Sequence, residues 1–204
     1  MTRQTPEDPG KALHDLAASA RRATVKGPPP VHLWNPPFCG NLDIRIASDG
    51  LWYYLGTPIG RQPLVNLFSS VIRRDGDDYF LVTPVEKIGI TVDDAPFVAV
   101  SVAFEGEGCD QVITFTTNVG EQIVVAPDTA LRFAPSPRDT DEPGEVIPYL
   151  HVRRRLDAKI RRPVFYEMVD RAAHHDVDGV PHFGIWASGV FYPMVPSSLL
   201  EGVS

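Results

Sequence analysis

The sequence predicts an α+β fold, an antiparallel β-rich protein with an internally repeated strand–helix–strand motif in two β-rich halves. Three observations carry that prediction. Most apolar stretches alternate with polar residues at the period of two that a half-buried strand requires. Two stretches, one at 61–73 and one from Val164 to Ala173, place apolar residues at helical spacing instead. Finally, a shift of 101 residues brings Leu55, Ile59, Arg61, Asp75 and Asp77 onto Leu156, Ile160, Arg162, Asp176 and Asp178. The shared order is strand, Ile-x-Arg, helix, Asp-x-Asp turn, strand. Such a unit cannot cover both faces of its own sheet, so two copies share a core or pack as similar domains.

Taken along the chain, residues 1–10 are polar and proline-bearing, and 11–24 follow a helical pattern with Leu13, Leu16, Ala17 and Ala20 on one small face. That helix reads as a loosely docked arm, ended by GPPP at 27–30. Leu42, Ile44 and Ile46 alternate with Asp43 and Arg45 as a strand, SDG at 48–50 turns the chain, and LWYYL at 51–55 returns it. The amphipathic helix at 61–73 follows, stopped by RDGDD, then strands YFLVT (79–83) and IGITV (88–92). FVAVSVAF (97–104), DQVITFTT (110–117) and EQIVVA (121–126) are β-branched runs joined by hairpin-type loops, and LRF (131–133) adds a short strand. Four prolines among acidic residues at 134–148 read as a linker. From Leu150 to Arg161 the alternation predicts one long strand, with Arg154 alone on its apolar face. A second helix face (Val164, Phe165, Met168, Val169, Ala172, Ala173), the turn HHDVDG, and a closing hairpin of HFGIW and VFYPM complete the pattern.

The expected division is an arm at 1–30, a first β-rich domain at 31–134 that includes the central strands, a linker at 135–148, and a second repeat unit at 149–204. An alternative division pairs the two repeat units in one pseudo-symmetric core, leaving strands 95–134 as a small β domain.

A net charge of −7 disfavours broad binding to phosphate backbones, so nucleic acid is an unexpected partner. Cys39 and Cys109 form no CxxC pair, and no apolar run approaches the ~20 residues of a membrane span. The start, MTRQTPEDPG, lacks a signal peptide's apolar segment. The expected setting is therefore cytoplasmic, with no membrane association.

The run WNPPFCGNLDIRIASDGLWYYLGTPIGRQPLVNLFSSVIRRDGDDYFLVTPVEKIGITVDDAPF, with the tail LDAKIRRPVFYEMVD…FGIWASGVFYPM, resembles a bacterial family known as domain of unknown function 1285. The resemblance runs from about Pro30 to Met194. It implies a mixed α and β fold with a repeated motif and a signalling or regulatory role, and it supplies no activity, ligand or catalytic residue.

Five features carry candidate chemistry. WNPPFCG (34–40), Arg61 and TPVEK (83–87) together offer apolar walls from Trp34 and Phe38, the amide of Asn35, the thiol of Cys39, the guanidinium of Arg61 and the charges of Glu86 and Lys87. If their loops converge, these residues line a small-molecule or peptide site. The competing reading makes Trp34 a core plug and Arg61 a structural cation, since the repeat matches it to Arg162. Arg153, Arg154 and Arg155 head a basic stretch suited to an anionic partner, although its alternation puts most charges on a solvent face. His174, His175, Asp176, Asp178 and His182 are ligand-type residues at no known zinc spacing, so no metal is assigned. Cys39 beside Gly40 has the character of a nucleophile but lacks a recognisable partner motif. The aspartates at 75, 77, 78, 93 and 94 lack the length and terminal ligand of a calcium loop.

The favoured expectation is a non-enzymatic regulatory module that binds a small molecule or partner protein, using no cofactor. The alternative is a hydrolase-like enzyme built on Cys39 or the cluster from His174 to His182.

Overall fold

The computed structural model describes residues 9–24, 29–127, 129, 131–135 and 146–200. The chain forms two compact units. Unit 1 comprises residues up to Pro96 together with Arg154–Leu156, and unit 2 comprises Phe97–Arg153 and the chain from Asp157 onward.

Unit 1 begins with α1 (Pro9–Thr24), then β1 (Phe38–Ile46), β2 (Trp52–Tyr54) and β3 (Thr57–Pro58). Helix α2 (Gln62–Ser70) leads to β4 (Ile72–Asp75), β5 (Asp78–Val82) and β6 (Lys87–Val92). The six strands make one sheet in the order β3-β2-β1-β6-β5-β4. Every pairing is antiparallel except β1 with β6. The register places Leu81 between Ile72 and Ile88, and all three are buried. The opposite face carries Arg73, Phe80, Gly89 and Asn41 in one row across four strands. This follows from the pleat, which sends alternate side chains to opposite faces.

Helix α2 buries Val65 and Phe68, and the Phe68 ring stacks on Trp52 with centroids 6.3 Å apart. Val71 and Ile72, expected within this helix, are fully buried but leave it, since Ile72 opens β4. Periodicity misled here because a buried strand start continues the apolar run of the helix before it. Helix α1 packs against α2 through Leu16, Ala17 and Ala20, each at most 4% exposed, so the arm is seated rather than loose.

Unit 2 contains β7 (Phe97–Glu105), β8 (Val112–Thr117), β9 (Gln122–Val124), β10 (Leu131–Pro135), β11 (Val146–Arg153) and β12 (Leu156–Ile160). They form a sheet ordered β10-β11-β12-β7-β8-β9. Helix α3 (Arg162–Val169) follows, and β13 (Ala173–Val177), β14 (Val180–Ala187) and β15 (Val190–Pro196) make a separate three-stranded antiparallel sheet. Phe97, Ile113, Phe115, Leu150, Met168 and Ile185 are fully buried.

Three expectations change. The central strands β7–β9 fall in unit 2 rather than with residues 31–96, because β7 pairs in parallel with β12. Of the expected linker 135–148, residues 136–145 lie outside the described residues. Its two ends are paired in the neighbouring strands β10 and β11, so it joins two strands of one sheet. The long strand expected at 150–161 is a hairpin, with Arg154 (φ 45°) and Arg155 (φ 67°) as its two turn residues. Arg154 therefore sits at a turn instead of on an apolar face. Such turns favour Gly or Asn, whose absence hid this one from the sequence reading.

The repeat is present as element order, hairpin–helix–hairpin, though not in the expected register. Arg61 caps α2 and Arg161 caps α3, each followed by a proline within the first helical turn, which is a shift of 100. The following strands close at Asp75↔Asp78 and Val177↔Val180, a shift of 102. The shift of 101 averages the two, so its match of Arg61 to Arg162 is one residue off. The second copy also keeps β13–β15 apart from the larger sheet, whereas β4–β6 join theirs.

Candidate functional site

Unit 1 brings WNPPFCG and TPVEK together. After a short 3-10 turn at Val31–Leu33, Pro36 and Pro37 hold the chain extended, and β1 begins at Phe38. The segment before β6 turns at Thr83, whose amide donates to the Glu86 carbonyl at 2.9 Å. β6 then aligns beside β1, with Phe38 paired to Lys87 and the Lys87 amide donating to Pro37 O at 3.1 Å. The parallel β1–β6 pairing thus joins segments about fifty residues apart.

A continuous network spans this face. The Arg73 guanidinium donates to Trp34 O at 2.6 Å and Val31 O at 3.2 Å, and to Asp75 Oδ2 at 2.8 Å. Lys87 Nζ donates to the same Asp75 oxygen at 2.6 Å and lies 3.8 Å from the centre of the Phe80 ring. Phe80 in turn meets Phe38 edge-on, with centroids 6.1 Å apart. A Cβ on Gly89 would collide with the Asn41 amide and come close to Phe38, so Gly89 leaves room for Asn41 to lie across β6. Arg73 Nε is buried without a partner.

Burial alone would raise the Asp75 carboxyl, but hydrogen bonds and charge from Arg73 and Lys87 prevail and hold it below the usual aspartate range. The two cations of the network therefore share one carboxylate. Around it the chain exposes apolar side chains, with Leu33 72%, Phe38 57% and Val85 64% accessible. Exposed apolar residues gathered around ordered aromatics are the composition of an interaction surface.

Of the residues singled out from sequence, Trp34, Asn35, Cys39, Glu86 and Lys87 lie in these two adjoining segments, with Trp34 half-buried and Asn35 exposed. Cys39 is exposed, and its thiol donates to Pro37 O at 3.4 Å. Arg61 is not among them, for it lines a separate cavity with Arg21 and the start of α2. Arg73, Asp75 and Phe80 are the residues that sequence reasoning missed as site components. The role of Asp75 depends on a strand pairing that no local pattern announces.

In unit 2, Arg153 pairs with Glu121 and covers the Phe97 ring, so it is partnered within its own unit. His175 and His182 face each other across β13 and β14, while His174 contacts Ser197 Oγ at 2.7 Å. Among the described residues, no group of three His, Cys, Asp or Glu side chains converges as a metal site. No helix of the described residues is long and apolar enough to cross a membrane.

Fold and site together define a two-unit, mostly antiparallel α+β protein with an aromatic and charged face on its first sheet. The chain belongs to the DUF1285 family. The sequence model for the domain of unknown function (DUF1285), N-terminal domain, matches residues 29–95, and that for the protein of unknown function (DUF1285), C-terminal domain, matches 96–194. The family boundary and the unit boundary thus agree to within a residue or two. A crystal structure of a DUF1285 family protein from Silicibacter pomeroyi DSS-3 is similar at TM-score 0.81 and 50% identity, covering 91% of this chain and 97% of that one. Another, from Shewanella baltica OS155, is 27% identical with TM-score 0.48 and covers 64% of this chain and 92% of that one. No curated protein matches the chain.

Proposed function

We propose that the protein is a non-enzymatic regulatory module whose aromatic face on unit 1 docks a neutral, apolar segment of a partner protein. The observation that carries this reading is Phe38, an aromatic side chain 57% exposed yet fixed by its edge-on contact with Phe80. Arg73 and Lys87 already donate to Asp75, which leaves less for a charged partner to gain from them. An apolar side chain laid on Phe38, by contrast, removes both from water, and full burial of such a ring contributes roughly 1.5–3 kcal/mol. A role in signalling accords with a docking module and with the family resemblance. A cytoplasmic setting accords with two free, exposed cysteines.

The test is a peptide-display selection on the whole protein, with depletion on the Phe38→Ala variant. Enriched peptides should carry an aromatic or large aliphatic residue, and their affinity should fall about tenfold or more in Phe38→Ala with the circular dichroism spectrum unchanged. Selection that yields no peptide preferring the wild type refutes the assignment of this face.

A further inference from the structure

We infer that the cavity between α1 and the start of α2 binds a small phosphomonoester dianion carrying an apolar substituent. The cavity measures about 380 Å³, and Arg21, Arg61, Gln62, Pro63, Leu64 and Leu67 are among its walls. That volume lies within the range of about 300–1,000 Å³ typical of small-molecule sites. Arg21 comes from the last turn of α1, and Arg61 is the residue that caps α2.

The two arginines differ from five others in the chain. Arg45, Arg73, Arg74, Arg132 and Arg153 each pair with a carboxylate. Among the described residues, neither Arg21 nor Arg61 has an ion pair or a side-chain hydrogen bond. Both arginines line this cavity, and a dianion matches their two positive charges. A guanidinium also presents the planar fork that grips phosphate oxygens in pairs. Pro63, Leu64 and Leu67 supply an apolar wall that inorganic phosphate would leave unused. The helix start adds little of its own. The Leu64 and Val65 amides already donate to the Arg61 carbonyl, and Pro63 has no N–H. Recognition therefore rests on the arginines.

The family's N-terminal sequence model begins at residue 29, after α1, yet α1 supplies Arg21. A ligand bridging Arg21 and Arg61 ties α1 to α2, so occupancy is transmitted to the arm. This site is distinct from the aromatic face, and either assignment can fail without the other.

The experiment is calorimetric titration of the whole protein with phenyl phosphate, with inorganic phosphate and benzyl alcohol as comparison probes, joined to hydrogen exchange of the α1 amides. Phenyl phosphate should bind one-to-one and more tightly than either comparison probe. Its affinity should drop about tenfold or more in Arg21→Ala and in Arg61→Ala, the loss expected for a charge-assisted hydrogen bond. Phe38→Ala should leave it unchanged. Both arginines are exposed, so their alanine variants should keep the wild-type Tm. Phenyl phosphate should also slow exchange across α1. Absence of saturable binding, or equal affinity in the Arg21→Ala/Arg61→Ala double variant, overturns the site. Binding without any change in α1 exchange overturns the bridge.

Discussion

Asp75 sits between Arg73 and Lys87 as the shared acceptor of both, and its environment makes a pH prediction. Its carboxyl is held below the ordinary aspartate value. A depressed carboxylate stabilises the fold above its unfolded-state pKa, and that contribution is lost as pH falls through the lower native value. Asp75→Asn should therefore lower Tm at pH 7, and the difference from wild type should shrink once pH drops below about 4. A difference that stays constant from pH 7 to pH 3 would show that the charge of Asp75 contributes nothing. Lys87 was visible in the sequence as a candidate, but its partners were not. Arg73 and Asp75 reach it only because β5 lies between β4 and β6.

At the scale of elements, alternation located most strands and helical spacing located all three helices. The errors gathered at junctions, where Val71 and Ile72 continue the α2 pattern into β4, and where HHDV is strand β13 instead of a turn. Two glycines show how strand approach adds a constraint that no periodicity reports. At Gly184, beside a register shift in the β14–β15 pairing, a Cβ would meet the Tyr192 carbonyl, the Pro193 backbone and the Phe191 ring. At Gly89 the nearest obstacle is the end of the Asn41 side chain, which can turn aside. Gly184→Ala should thus cost roughly 1–3 kcal/mol in urea unfolding and Gly89→Ala less than about 1 kcal/mol, by the general expense of overpacking against backbone. Equal costs at the two positions would contradict this account of the β14–β15 contact.

For the whole molecule, the sum of charges and their local pairing act in the same direction. The net charge is −7, and Arg153 and Arg132 are matched by Glu121 and Asp157 within unit 2. The protein should pass through DNA-cellulose unretained at neutral pH and about 0.15 M salt, where long-range attraction is screened within ~8 Å. Retention that Arg153→Glu and Arg155→Glu abolish would restore the polyanion reading of the basic hairpin.

The sequence by itself determined the fold class, the strand–helix–strand order of both copies, and the two segments, WNPPFCG and TPVEK, that meet at the aromatic face. These are local properties, carried by side-chain period, β-branching and proline placement. Tertiary structure alone decided which strands share a sheet, that the repeat's register shifts from 100 at the helix cap to 102 at the hairpin turn, and that Arg61 belongs with Arg21 rather than with Lys87. The physical reason is that backbone pairing between distant strands, and the seating of α1 on α2, depend on complementary surfaces. One-dimensional spacing cannot encode them.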